Sequence, residues 1–260
     1  MKSIGNTLIR EITYFAKRNR PKKVLFDHFP KCAGTSVSDY LKSQHLPRKT
    51  YTTSGSDPLE SVSQFKALPE KIRFSYDLIY GHCAHELLDF THPDKITLTI
   101  LRDPVERIIS HYFYVKRTRY HYLHEPVLQS SISLEEYATS GLSIELRNFY
   151  VSHYLETSYQ EAERCPEKSI ARACRIVEEK YDIIGFTDNL NTAMESLRRK
   201  ALYRQPFQER KLNISTCYQD RKEIDKSVLD TIRQVNFMDV EFYKRLKQKS
   251  YAFSAGTLRQ

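Results

Sequence analysis

Short apolar runs alternate with amphipathic stretches along this chain. Val24-Leu25-Phe26 opens a buried strand, and Val37, Tyr40 and Leu41 then fall on the inner face of a short helix. Asp77-Leu78-Ile79-Tyr80-Gly81-His82 reads as a second short strand ending in a turn. Residues 96–101 form a third, followed by a helix over 104–118 in which Tyr112 and Phe113 read as core. Tyr181 to Phe186 is another strand, after which Thr187 or Asp188 caps a helix carrying Leu190, Met194 and Leu197. One last amphipathic helix places Val228, Leu229, Ile232, Val235, Phe242 and Leu246 on its apolar side. Residues 47–64 are rich in Ser, Thr, Pro and Asp and read as a long loop. Apolar strands alternating with helices predict an α/β fold, with a central parallel sheet covered on both faces in three α/β/α layers.

Residues 1–23 differ from the rest. Ile4, Leu8, Ile9, Ile12 and Phe15 recur at helical spacing among Lys2, Arg10, Lys17, Arg18, Arg20, Lys22 and Lys23. That pattern predicts a basic amphipathic helix, which either packs on the domain or lies peripherally on an anionic membrane. The expected organisation is this helix, a single domain over 24–250 and a tail over 251–260. There is no internal repeat.

Composition narrows the partners. The 260 residues carry 41 Lys and Arg against 32 Asp and Glu, a formal net charge of +9, which favours anionic ligands. Tyr112 to Tyr122 interleaves rings with Lys116, Arg117 and Arg119, a stripe that would suit nucleic acid or an acidic sugar equally well. No apolar run reaches the length of a membrane span, and no signal-peptide core opens the chain. The five cysteines, Cys32, Cys83, Cys165, Cys174 and Cys217, form no close pair and no zinc spacing. Free thiols in a reducing, cytoplasmic compartment are the expectation.

The candidate chemistry begins where the first strand ends. Pro30-Lys31-Cys32-Ala33-Gly34-Thr35-Ser36 runs from a strand through a basic turn into a helix. Backbone N–H groups, an ammonium and the positive end of the helix there converge on one spot, which suits phosphate or sulfate. A nucleoside triphosphatase loop would place its lysine after the glycines, whereas Lys31 precedes Gly34. This segment resembles the 5′-phosphosulfate loop of sulfotransferases that use 3′-phosphoadenosine 5′-phosphosulfate (PAPS), and within them the uronosyl 2-O-sulfotransferases and bacterial relatives.

A second motif agrees. Arg102 follows a strand, and Ser110 lies eight residues later on the next helix. The resemblance implies that this pair holds the 3′-phosphate of the donor. Local physics starts a helix here in any case: Asp103 suits the N-cap, Pro104 the first helical position, and Glu106 completes a capping box. Arg107 either assists the phosphate or pairs with a nearby carboxylate. The resemblance extends over about residues 24–247, through Gly185 to Leu190 and Asp239 to Tyr243, and is weakest over 120–170, where it implies acceptor specificity.

The resemblance implies a P-loop kinase-like fold and transfer of a sulfuryl group from PAPS to a hydroxyl of a carbohydrate or glycolipid, acidic in some cases. Lys31 and the amides of Cys32, Ala33, Gly34, Thr35 and Ser36 would meet the charge developing on the leaving phosphate. His82, in the Gly-His dipeptide that matches the uronosyl 2-O-sulfotransferases, is the candidate base, with His85 and Glu86 in reserve. Arg210 and Lys211 stand where related enzymes close a basic loop over the nucleotide, although the segment departs from their Arg-Lys-Thr-Thr form. A metal is not expected, since the His82, Cys83 and His85 cluster lacks zinc spacing and the transferred group carries less charge than a phosphoryl group. Nucleic acid is set aside as a partner. A nucleotide-dependent kinase of P-loop topology and a non-catalytic glycan-binding protein of the same fold are the rival readings.

Overall fold

Five parallel strands lie side by side in the order β2-β3-β1-β4-β5. They are β1 (Lys23–Asp27), β2 (Thr50–Thr52), β3 (Leu78–Gly81), β4 (Lys95–Leu101) and β5 (Ile183–Phe186) in a computed structural model that describes residues 20–53, 57–208 and 224–256. Parallel strands need crossovers, and the alternation of strand and helix supplies them. The residues predicted at 1–19, including most of the N-terminal basic helix, lie outside the described residues, as does the 257–260 end of the tail. By packing, the described chain groups into two units. The first takes in residues up to Leu101 and 180–208; the second takes in 102–179 and 224 onwards.

The first unit contains the whole sheet. Val24 pairs with Leu78 on one side and with Ile96 on the other, so β1 is central. Val24, Leu25, Phe26 and Asp27 are all buried, as expected of a strand with both faces covered. One face packs on α1 (Gly34–Gln44), through Val37, Tyr40 and Leu41, and on the helix that carries Leu190, Met194 and Leu197. From β1 the chain runs towards the β2 edge, and β4 is followed in strand order by β5 at the other edge. Divergence of this kind opens a crevice beyond the carboxyl ends of the central strands.

Two local expectations for this unit change. Residues 47–53 and 57–64 are not a loop: β2 and then α2 (Pro58–Ala67) occupy most of them. Thr50, Tyr51 and Thr52 have strand propensity that a turn-rich composition masked. Asp57 with Pro58 supplies the N-cap and first helical position, and the Asp57 carboxylate accepts from the Glu60 N–H at 2.9 Å. After β5, neither Thr187 nor Asp188 caps the helix. A single 3-10 turn, Thr187–Asn189, intervenes, and Asn189 takes the cap position with its side chain accepting from the Thr192 hydroxyl at 2.6 Å and not from a helix N–H.

The second unit is helical. Its core gathers Val105, Ile108, Ile109, Tyr112 and Val115 of α3 (Pro104–Arg117) with Leu123, Tyr137, Leu146 and Ile232, while Phe113 packs at the margin. The last predicted helix is two, α7 (Lys226–Val235) and α8 (Phe237–Gly256), when α4 (Phe149–Leu155), α5 (Pro166–Lys180) and α6 (Leu190–Lys200) are counted before them. Asn236 makes the break. Its buried amide donates to the Leu146 and Ile232 carbonyls and accepts from the Asn148 N–H at 3.0 Å, while the Asn148 side chain accepts from the Met238 N–H at 3.0 Å. Two asparagines exchanging backbone bonds satisfy the groups that a helix interruption would leave buried and unpaired. No helix among the described residues is long and apolar enough to cross a membrane.

Candidate active site

The turn after β1 is built from left-handed residues that are not glycine. Lys31 has φ 66° and Ala33 φ 58°. Such residues cost about 1–2 kcal/mol each, and a turn containing them directs amides to one side. The Cys32 N–H donates back to the Phe29 carbonyl at 3.3 Å, and the Cys32 thiol is fully buried, 3.6 Å from the Pro30 carbonyl oxygen. Cys32 therefore fills the turn with its side chain and closes it with its N–H. The helix that follows has no side-chain cap, because its N-cap is Ala33. The Val37 N–H donates to the Ala33 carbonyl at 3.1 Å, and the N–H groups of the first helical turn before it point out of the helix end. An uncapped helix N-terminus beside a lysine is suited to an anion.

His82 lies just beyond β3. Gly81 has φ 139°, and a Cβ there would sit 2.1 Å from the Thr53 hydroxyl oxygen, so only glycine makes this turn. Thr53 donates its hydroxyl to the His82 carbonyl at 2.6 Å and pins the backbone. The imidazole Nδ1 lies 2.8 Å from the His28 carbonyl oxygen. A carbonyl can only accept, so Nδ1 carries a proton, and the neutral form of the ring is the one with its lone pair on Nε2. That tautomer is the one a general base requires. The ring also stacks on His28, with centroids 4.6 Å apart and planes 25° apart.

The two reserve candidates differ in their surroundings. The Glu86 carboxylate lies 2.8 Å from the Lys66 ammonium, and the His85 Nδ1 lies 3.8 Å from the Asp27 carboxylate.

In the second unit, Asp103 caps α3 by accepting from the Val105 and Glu106 N–H groups at 3.0 and 3.1 Å. The Glu106 carboxylate, expected to complete a capping box, reaches the Arg102 guanidinium at 3.5 Å. Ser110 lies two turns along the same helix, partly buried. A model of the sulfotransferase family matches residues 16–245. The chain belongs to the sulfotransferase family. None of the curated proteins matches it.

In this sulfotransferase the first unit brings together Lys31, the Cys32–Ser36 turn and His82, and the second contains Arg102 and Ser110. Arg210 and Lys211 lie outside the described residues. Three further residues support these groups, each within its own unit. Asp27, fully buried at the end of β1, accepts from the Tyr181 hydroxyl at 2.8 Å and from the His85 N–H at 3.2 Å, tying the turn after β3 to the start of β5. An acidic residue ending an apolar strand was the only sign of it in the sequence.

Tyr150 holds the backbone of Arg102. Its hydroxyl accepts from the Arg102 N–H at 3.1 Å and donates to the Arg102 carbonyl at 2.9 Å. Nothing in the sequence linked positions 48 apart.

Arg107 acts on a carboxylate, Asp239, through its charge and with no direct bond to it among the described residues. It is wholly buried, and its guanidinium donates to the Glu145 carbonyl oxygen at 2.5 Å and lies over the Phe149 and Tyr150 rings at 5.4 and 5.3 Å. Its Nε and Nη1 have no hydrogen-bond acceptor among the described residues, and the two ring faces stand in for one. Asp239, which accepts from the Tyr150 and Val151 N–H groups at 2.9 and 3.0 Å, is pushed up to about 6 by burial, against the opposing pull of the Arg107 charge.

Proposed function

We propose that the chain transfers a sulfuryl group from PAPS to a hydroxyl of a carbohydrate or glycolipid acceptor, with His82 as the base. The observation that carries the reading is the tautomer of His82, held with Nε2 open at the end of a strand adjacent to the one that feeds the Lys31 turn. In the proposed step the acceptor oxygen forms a bond to sulfur while the bond from sulfur to the bridging phosphate oxygen breaks. The acceptor proton passes to Nε2 of His82, and 3′-phosphoadenosine 5′-phosphate leaves. Lys31 and the amides of Ala33, Gly34, Thr35 and Ser36 meet the charge that develops on the leaving phosphate, the Cys32 N–H being given to the Phe29 carbonyl within the turn. Arg102 and Ser110 are assigned to the 3′-phosphate, a guanidinium and hydroxyl pair suited to a dianion. Arg210 and Lys211 are assigned to closing over the nucleotide. The step uses no metal, because one lysine and aligned amides suffice for the smaller charge of a sulfuryl group.

Transfer of labelled sulfate from PAPS to a panel of acidic and neutral glycans tests this. His82→Ala should lower kcat by about 10²–10⁴-fold, the typical contribution of a positioned base, while 3′-phosphoadenosine 5′-phosphate still binds. Equal transfer by both proteins rules out His82 as base. Magnesium-dependent ATP turnover, without binding of 3′-phosphoadenosine 5′-phosphate, would mean a kinase instead.

A further inference from the structure

Gly34 needs an explanation, because it opens a helix with no left-handed φ to demand glycine. Alanine there would favour the helix by about 1 kcal/mol. The structure supplies the reason: a Cβ on Gly34 would lie 1.5 Å from Nε2 of His28 and 2.0 Å from its Cε1. The His28 ring occupies the space above the Gly34 Cα. The same ring stacks on His82 at 4.6 Å and on Phe26 at 5.5 Å, each with planes 25° apart. It touches the base, the donor turn and the core.

We propose that His28 is the positioning residue that sets the separation between the base and the anion cradle, filling the volume a side chain at residue 34 would take and giving the His82 ring a flat surface. This deepens the function proposed above and rests on its assignment of His82 and of the Lys31 turn. The chemistry at position 28 suits the task. Burial, followed by the nearby His82 charge, lowers its pKa to about 3, so the ring stays neutral while its neighbour takes up the acceptor proton. A second cation beside the protonated base would oppose the transfer. The same geometry separates two explanations of Gly34: it is glycine to admit the His28 ring, or to admit the donor.

Four proteins decide between them: Gly34→Ala, His28→Ala, the double variant, and His28→Phe, which keeps a flat ring. Each is measured by calorimetric binding of 3′-phosphoadenosine 5′-phosphate, by melting temperature, and by the ¹⁵N imidazole spectrum of His82. Gly34→Ala should weaken nucleotide binding at least about tenfold and lower the melting temperature in the unaltered chain, yet change binding less than about threefold when His28 is already alanine. In His28→Ala the protected Nδ1–H signal of His82 should broaden, although its acceptor is a backbone carbonyl that the substitution retains, and His28→Phe should restore it. An equal loss from Gly34→Ala in both backgrounds, or a His82 spectrum unchanged in His28→Ala, overturns the proposal. Failure of the unaltered chain to bind the nucleotide would sink the donor assignment alone, and the melting temperatures and spectra would still decide whether His28 couples residues 34 and 82.

Discussion

The two units differ in the buried groups whose titration folding shifts or opposes. The first keeps its buried histidines neutral: burial lowers His28 to about 3 and His45, which shares a 2.6 Å hydrogen bond with the Tyr203 hydroxyl, to about 4. The second buries a permanent cation, Arg107, with a carboxylate, Asp239, that burial pushes up to about 6. A neutral ring can be buried without the desolvation cost of a charge. A buried guanidinium suits a scaffold, because it cannot lose its charge and its fork fixes the orientation of everything it touches. The difference teaches where each unit is vulnerable. The first weakens when it is forced to take up protons, and the second when its buried charges lose their balance.

The largest expected effect tests the second unit. Arg107→Met should lower stability by about 3–5 kcal/mol in denaturant unfolding, because it leaves Asp239 buried without the charge that offsets it. Adding Asp239→Asn to that variant should cost much less than Asp239→Asn alone. Additive losses would show that the two groups do not form a unit.

The next effect sets the units against each other. His28 and His45 have folded pKa values below the ordinary 6.5, so the unfolded chain binds more protons than the folded one between pH 6.5 and about 4. Stability therefore falls as pH drops from 7, by about 2 kcal/mol per histidine at pH 5. Asp239 has the opposite sign. Its folded value lies above its unfolded one, so its contribution is complete below pH 4 and is lost as pH rises through about 6. Hydrogen exchange, corrected for the intrinsic pH dependence of the amides, should show segment 24–45 losing protection between pH 7 and 5 while segments 146–155 and 236–243 hold or gain. Parallel changes in all three segments would dissolve the contrast.

The smallest effect probes the clamp on Arg102. Tyr150→Phe removes one hydroxyl and two backbone bonds, and should cost about 1–2 kcal/mol of stability. Affinity for 3′-phosphoadenosine 5′-phosphate should fall about five- to tenfold, with kcat at saturating donor nearly unchanged. An unaltered nucleotide affinity would mean that the clamp serves the fold and not the guanidinium.

Local rules carried much of the fold. The strands at β1, β3, β4 and β5 and the start of α3 at Asp103-Pro104 follow from apolar runs and cap chemistry that act within a few residues. The same rules failed at residues 47–64 and at Asn236. In the first, a three-residue edge strand and an Asp-Pro cap were hidden in polar composition. In the second, the break in an amphipathic pattern depends on Asn148, 88 positions away.

By itself the sequence determined the α/β class, the basic turn at Lys31 and the strand-to-helix turn at Arg102, because spacing, capping and propensity are properties of neighbours in the chain. Only the tertiary structure decided the tautomer of His82, the reason for glycine at 34, the burial of Arg107 and the grip of Tyr150 on Arg102. Each of these depends on a partner brought close by folding, and hydrogen bonds, ring contacts and burial act over a few ångströms of space whatever the distance along the chain.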